Sequence, residues 1–392
     1  MANAQIISPA DTVVKTLFGE NQHPISWGNR GFLRAMMSDS NGDLRNQLSP
    51  ECKTGGAVSR NAAGVAQIRV NYAPLIENMT VGTVLTCTGS VQSSPFELPF
   101  FINSQRNLPQ KITSQQISSL QCGIQETMQA KFGDALGTLA DLEGRDFKAT
   151  GFVTMQLQRT LDNLIKSVNT DVLTKAFVNR GVNAVYGNNA IQNLALGSPT
   201  VTGGLFPKLL SELKKLRRKN RTCGKFLVIG GERWSEYLEF LNVSAPNNQQ
   251  SIDYPAYFSQ LKQEMEFFYD EDIDGLLGAD VALIIAPNMV AIPVFGVYNY
   301  MSGITGGSMN ADNVSYRTAY LPEFQTCNKG KDNFMPIDVM VKVETCNPAD
   351  SNLPSWTIIP SINYELYTTP TGTRFTAGPL QAVNGIYAYR AI

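Results

Sequence analysis

The sequence predicts an α+β chain. Three observations carry that expectation. Two stretches in the first half repeat apolar residues at helical spacing, over 113–142 and 152–179. Residues 205–300 alternate helical and strand patterns. The last 70 residues are mostly extended, with apolar residues at period two.

Residues 1–60 are polar and weakly periodic, and SDSNGDLRNQ and KTGGAVSRN read as loop, so this part is expected to be an extended arm ordered against something else. In AQIRVNY, Ile68, Val70 and Tyr72 alternate onto one face. With NMTVGTVLTCTGSV and SPFELPFFIN, this predicts two or three strands in a hairpin over 66–102.

Thr113 and Gln116 form a capping-box pattern that opens a helix whose apolar stripe runs from Ile117 to Leu142, weakened by Gly123, Gly133 and Gly137. A stronger helix is predicted over 152–179, with Leu157, Leu161, Leu164, Ile165, Val168, Val172 and Leu173 on one side and Gly181 closing it. Residues 182–204 read as loop and linker.

Next come a helix with Leu205, Phe206, Leu209, Leu210, Leu213 and Leu216 on its apolar face, a buried strand in KFLVIGG, and a helix in ERWSEYLEFLN with Trp234, Tyr237, Leu238 and Leu241 on one side. ADVALIIAPNMVAIPVFGVY reads as strand, A-P-N turn, strand. At the end, Val339, Val341 and Val343 alternate, as do Trp356, Ile358, Ile362, Tyr364 and Leu366, on either side of the loop CNPADSNLP. That is a long antiparallel hairpin, expected to return to the first half of the chain.

Composition argues against several classes of function. A hydrophobic fraction of 43% fills substantial cores, and a net charge of −1 creates no field to recruit nucleic acid or an anionic membrane. Charged residues are 17% of the chain, which suits extensive packing against neighbours and equally an ordinary weakly charged enzyme surface. No two of the six cysteines stand at C-x-x-C spacing, so no zinc or thioredoxin-like motif is present, and their scatter suits reduced thiols. The N-terminus lacks a signal-peptide pattern, and the longest apolar runs are too short for a bilayer.

Catalytic motifs are equally scarce. His23 is the only histidine and has no Gly-x-Ser-x-Gly elbow to serve. KFLVIGGERW runs strand, Gly pair, helix, but a dinucleotide loop needs G-x-G-x-x-G, and Glu232 would oppose a phosphate; the Gly pair reads as a tight turn.

Two charge runs remain. Asp270 to Gly275 reads D-x-D-x-D-G, the opening of a calcium loop, which makes Asp270, Asp272 and Asp274 weak metal candidates. The twelfth position is Val281 where a bidentate Glu is required, so no metal is assigned. Residues 264–274 hold six acids in eleven positions: Glu264, Glu266, Asp270, Glu271, Asp272 and Asp274. Residues 214–221 hold six bases in eight: Lys214, Lys215, Arg217, Arg218, Lys219 and Arg221. Such runs need counter-charge or water. Three readings stand: solvated helix ends, pairing with the opposite run on a neighbouring subunit in head-to-tail contact, or contact with nucleic-acid phosphates.

The order of elements, and the segments KFLVIGGERWSEYLEFLN, DVALIIAPNMVAIPVFGVYNYMSG and DVMVKVETCNPADSNLPSWTIIPSINYELYTTP, resemble the Hong-Kong-97-like major capsid proteins of tailed bacteriophages, a fold shared with encapsulins. The resemblance implies an N-terminal arm over 1–60, an extended β-hairpin loop over 61–112 that lies across the neighbouring subunit, and a peripheral domain with a long spine helix over 113–200. It further implies an axial α/β domain over 201–303, then peripheral strands and a C-terminal tail over 304–392. It implies a non-enzymatic, cofactor-free subunit that forms hexamers and pentamers of an icosahedral shell around double-stranded DNA. Portal and scaffolding or decoration proteins would be its partners, with no membrane. The location implied is the virion, after assembly in the host bacterial cytoplasm. Some relatives crosslink Lys to Asn between subunits; Lys53 and Lys111 flank the hairpin, but no local pattern marks such a pair. The alternatives are an encapsulin-type compartment and an enzyme using Asp270, Asp272 or Glu232 with a divalent ion; a virion protein of another kind, such as a jelly-roll capsid or a tail component, is a further one.

Overall fold

The computed structural model describes residues 30–36, 58–60, 66–72, 96–113, 147–183, 185–196, 208–220, 224–243, 254–296, 314–325, 334–347, 353–368 and 385–392. Residues 114–142 of the helix expected over 113–142, His23 and Arg221 lie outside them, and Thr113, its expected first residue, is extended.

The polar N-terminal part contains a short helix, α1 (Gly31–Met36), whose Phe32, Leu33, Ala35 and Met36 are buried in the core. The sequence led us to expect an arm ordered against another molecule. This piece is instead packed against its own chain, because GFLRAM carries four apolar side chains that need burial. The expected hairpin follows as three antiparallel strands, β1 (Val58–Arg60), β2 (Ala66–Tyr72) and β3 (Phe96–Ile102), in that order across the sheet. The register sets Ile68 opposite Phe100, Val70 opposite Leu98 and Tyr72 opposite Phe96.

After β4 (Ser104–Asn107) and β5 (Gln110–Thr113), the next described element is the 32-residue helix α2 (Phe147–Val178). Leu161, Leu164, Ile165, Val168, Val172 and Leu173 bury one stripe at the expected spacing. The helix ends differently from the sequence expectation. Gly181 is not left-handed, and its amide donates to the Ile386 carbonyl at 3.1 Å. The Arg180 guanidinium closes the end by donating to the Phe177 carbonyl at 2.7 Å and the Asn189 carbonyl at 2.6 Å.

The segment expected to be a linker contains β6 (Gln192–Leu194). An α/β unit follows: α3 (Leu209–Asn220), β7 (Phe226–Gly230), α4 (Glu232–Val243), α5 (Tyr254–Glu264), β8 (Met265–Tyr269), α6 (Glu271–Leu276) and β9 (Val281–Ile285). β7 and β9 are buried along their whole length, which explains their unbroken apolar runs. Past β9 the chain turns through Asn288, in the left-handed region at φ 59°. It does not form a hairpin there. β10 (Val290–Ala291) and β11 (Val294–Phe295) leave to pair elsewhere.

The C-terminal strands β12 (Val314–Gln325), β13 (Phe334–Asn347) and β14 (Leu353–Tyr364) form a long antiparallel meander. β14 returns to the first half, as expected, pairing with β4 and β5 on one edge; β11 joins it as well. β15 (Tyr367–Thr368) pairs with β10. The last strand, β16 (Ile386–Ala391), does not stay with this meander as the sequence division at 303/304 implied. It enters the α/β sheet, whose strand order is β6-β16-β9-β7-β8. Ile386, Tyr387, Ala388 and Tyr389 are buried on both sides, so only a central position suits this strand. α2 lies between the two large sheets, touching β14, β4 and β5 on one side and α6, α1 and β16 on the other.

Candidate functional site

The two charge runs and the Gly pair converge on the α/β unit. The acidic run is broken up by secondary structure. Glu264 ends α5, Glu266 lies half-buried on β8, and Asp270 to Asp274 wind into α6. D-x-D-x-D-G is therefore a helix start and not a calcium loop. Asp270 is the N-cap, accepting the Asp272 amide at 3.0 Å, and the following acids sit at the positive end of the helix.

Asp270 is fully buried and Asp272 nearly so. Asp270 Oδ2 accepts the Phe32 amide at 2.7 Å, which ties down the first turn of α1. The Asn169 amide, from the buried stripe of α2, donates to Asp270 Oδ1 at 3.1 Å, to Asp270 Oδ2 at 3.0 Å and to Asp272 Oδ2 at 2.8 Å. Arg30, just before α1, inserts its guanidinium among Glu271, Asp272 (3.3 Å) and Asp162 (3.6 Å). Its backbone also bridges to Asp270. Burial pushes the Asp270 carboxyl up to about 6 and the neighbouring Asp272 charge adds to this, against the downward pull of the Phe32 and Asn169 donors.

These contacts make the cluster a clamp that joins α1, α2 and α6. The Asp270 and Asp272 oxygens already face nitrogen donors, so the arrangement suits structural support better than the divalent-metal chemistry considered from the sequence. Among the described residues, no group of three or more His, Cys, Asp or Glu is placed to hold a metal ion.

Asp274 has a third task. Its Oδ1 accepts the Glu232 amide at 3.1 Å and so caps α4. A Cβ on Gly231 would overlap this oxygen and approach the Ala279 carbonyl oxygen at 3.1 Å. The Gly pair is thus the tight strand-to-helix turn the sequence suggested. The helix start where a phosphate would dock is filled by the chain's own carboxylate.

The basic run is divided. Arg217 pairs with Glu264 at 2.6 Å within the chain, and Lys215 lies 3.6 Å from Glu212, a buried carboxylate that also accepts from Tyr389 at 3.2 Å. A pairing considered between subunits is therefore partly internal: α3 and α5 lie side by side in the same direction, Leu210 meeting Tyr257 at one end and Arg217 meeting Glu264 at the other. Lys214, Arg218 and Lys219 stay exposed and form no ion pair among the described residues. Lys111 pairs with Glu344 at 3.1 Å.

A second polar network fastens α2 to the meander. Lys175 reaches Glu365 at 2.6 Å, Ser104 at 2.7 Å and Asp171 at 3.2 Å; Tyr364 donates to Asp171 at 2.8 Å, and Arg106 pairs with it at 3.1 Å. No local pattern marks Arg30 as a partner of α6. Asn169 has one: a polar residue inside an apolar stripe. Among the described residues, no helix is long and apolar enough to cross a membrane.

No protein-family profile matches the chain, and no curated protein does. Among solved structures, it is similar to a chain of a cyanophage A-1(L) capsid asymmetric unit, at 12% identity and a TM-score of 0.41, covering 91% of this chain and 93% of that one. It is also similar to chains of two mycobacteriophage structures. For Mycobacterium phage Cain the identity is 12%, the TM-score 0.39 and the coverage 98% and 97%; for Mycobacterium phage Adephagia they are 10%, 0.39, and 91% and 92%. With TM-scores below 0.5, the functional reading rests on the chain's own elements.

Proposed function

We propose that this chain is the major capsid protein of a tailed bacteriophage and assembles into the hexamers and pentamers of an icosahedral shell around double-stranded DNA. The observation that carries the reading is the position of α2. This 32-residue helix forms the spine between a long antiparallel meander, with β4 and β5 on its edge, and an α/β unit. On this reading the spine and long strands are the peripheral domain and the α/β unit is the axial domain. The antiparallel β1–β3 ladder supports a loop laid over a neighbouring subunit.

The energetics suit the role. Apolar burial contributes about 25 cal/mol per Å², so contacts that are weak singly become strong when repeated over a closed surface. Portal and scaffolding or decoration proteins are the further partners, the DNA is contacted without reading its sequence, and the virion is the location. The test is expression of the chain with its genomic neighbours, followed by electron microscopy and nucleic-acid analysis of purified particles. DNA-filled shells support the reading. Shells holding enzymes point to an encapsulin-type compartment, and a soluble monomer with metal-dependent turnover rejects the capsid role.

A further inference from the structure

The α/β unit carries opposite charges on two helices that share no substantial contact. α5 packs against both α3 and α4, while those two share no substantial contact, so α5 separates them. On α3, Leu209, Leu213 and Leu216 face inward, and Lys214, Lys215, Arg218 and Lys219 occupy the outer arc. Lys215 is half-exposed beside Glu212, and the other three are unpaired by carboxylates among the described residues. On α4, Trp234, Tyr237, Leu238 and Leu241 face inward. Glu232, Glu236 and Glu239 recur at i, i+4 and i+7 on the outside, all exposed, with one offsetting base at Arg233. The acids of 264–274 are not available for the same purpose, since Glu264 holds Arg217 and Asp270 and Asp272 are buried.

We infer that the basic face of α3 on one copy docks against the acidic face of α4 on the next copy. This rests on the capsid reading, and it names the charged contact within the ring. The occupant is a second copy of this chain because one surface of the unit supplies the complement of the other. Two different faces joined in this way make a head-to-tail interface, which closes into a ring when the rotation per copy divides a full turn. Complementary charge fixes the register and speeds encounter, and like-charge juxtaposition rejects wrong docking. A nucleic-acid contact would need only the basic half and leaves the Glu232, Glu236 and Glu239 stripe without a role.

The test uses two charge-reversed full-length chains. Lys214→Glu/Arg218→Glu cancels the positive charge of the α3 face; Glu236→Lys/Glu239→Lys makes both faces basic. All four positions are exposed, so both variants are expected to fold, with circular dichroism and melting close to the unaltered chain. Each alone is expected to associate at least tenfold more weakly than the unaltered chain in sedimentation at low ionic strength, and their mixture is expected to associate at least tenfold more tightly than either. Either variant associating alone as well as the mixture overturns the inference. So do shells of normal form and yield from Lys214→Glu/Arg218→Glu that differ only in reduced DNA retention, which would assign α3 to phosphate contact. Failure of the unaltered chain to build shells while the mixture still pairs counts against the capsid reading alone.

Discussion

The Asn169 side-chain amide donates to Asp272 Oδ2 at 2.8 Å and to Asp270 Oδ2 at 3.0 Å, so one residue of α2 holds two buried carboxylates of the α/β unit. Removing it leaves both acids short of a donor in a place that water does not reach. Losing a donor to a buried charge costs more than an ordinary hydrogen bond. Asn169→Ala is expected to lower stability by about 3 kcal/mol on that basis. Equilibrium urea denaturation checks this, and a loss below about 1 kcal/mol, the scale of an ordinary hydrogen bond, would show that the clamp is not structural.

Asp270 gives the fold a pH dependence of definite sign. The folded chain keeps this proton up to a pH of about 6, whereas an unperturbed aspartate releases it near 3.8. Between those values the folded state binds more protons than the unfolded state, so this group's contribution falls as pH rises from about 4 to about 6 and is constant above. The span corresponds to about 3 kcal/mol at most, taking 1.36 kcal/mol per unit. Asp270→Asn removes the titration. The difference in stability between the unaltered chain and the variant should therefore change across that window and be flat from pH 7 to 8. A difference independent of pH between 4 and 6 contradicts this.

Gly231 and Asp274 are coupled. Gly231→Ala drives a methyl group into Asp274 Oδ1 and is expected to cost about 2 kcal/mol or more, the range for overpacking. Asp274→Ala removes the cap on the Glu232 amide and is expected to cost about 1 kcal/mol. With Asp274 truncated, the methyl group loses its main obstacle. The double variant is expected to be more stable than the sum of the single effects by at least about 1 kcal/mol, which a double-mutant cycle in denaturant measures. Simple additivity would show that the close approach at Gly231 is not what selects glycine.

The elements that were legible in the sequence are those whose pattern is set by burial on one side. The α2 stripe, β7, α4 and the β13–β14 hairpin all show the period that their packing demands. What the sequence left open has physical causes as well. Asp-rich D-x-D-x-D-G serves a helix start as well as a calcium loop, since both use side-chain oxygens to satisfy backbone amides; the deciding partners, Arg30 and Asn169, lie more than a hundred residues away. Arg217 and Glu264 belong to two runs that look alike from end to end, and only the packing of α3 beside α5, with their C-terminal ends together, selects that pair. β6 and β16 are short and enter their sheet from distant parts of the chain, so no local period announces them.

Assembly tests the central claim most directly. Electron microscopy of the chain, produced in bacteria with its neighbouring genes and purified at high concentration, is expected to show closed shells of uniform diameter. Particles that remain single compact molecules under those conditions, with every assembly factor present, would contradict it.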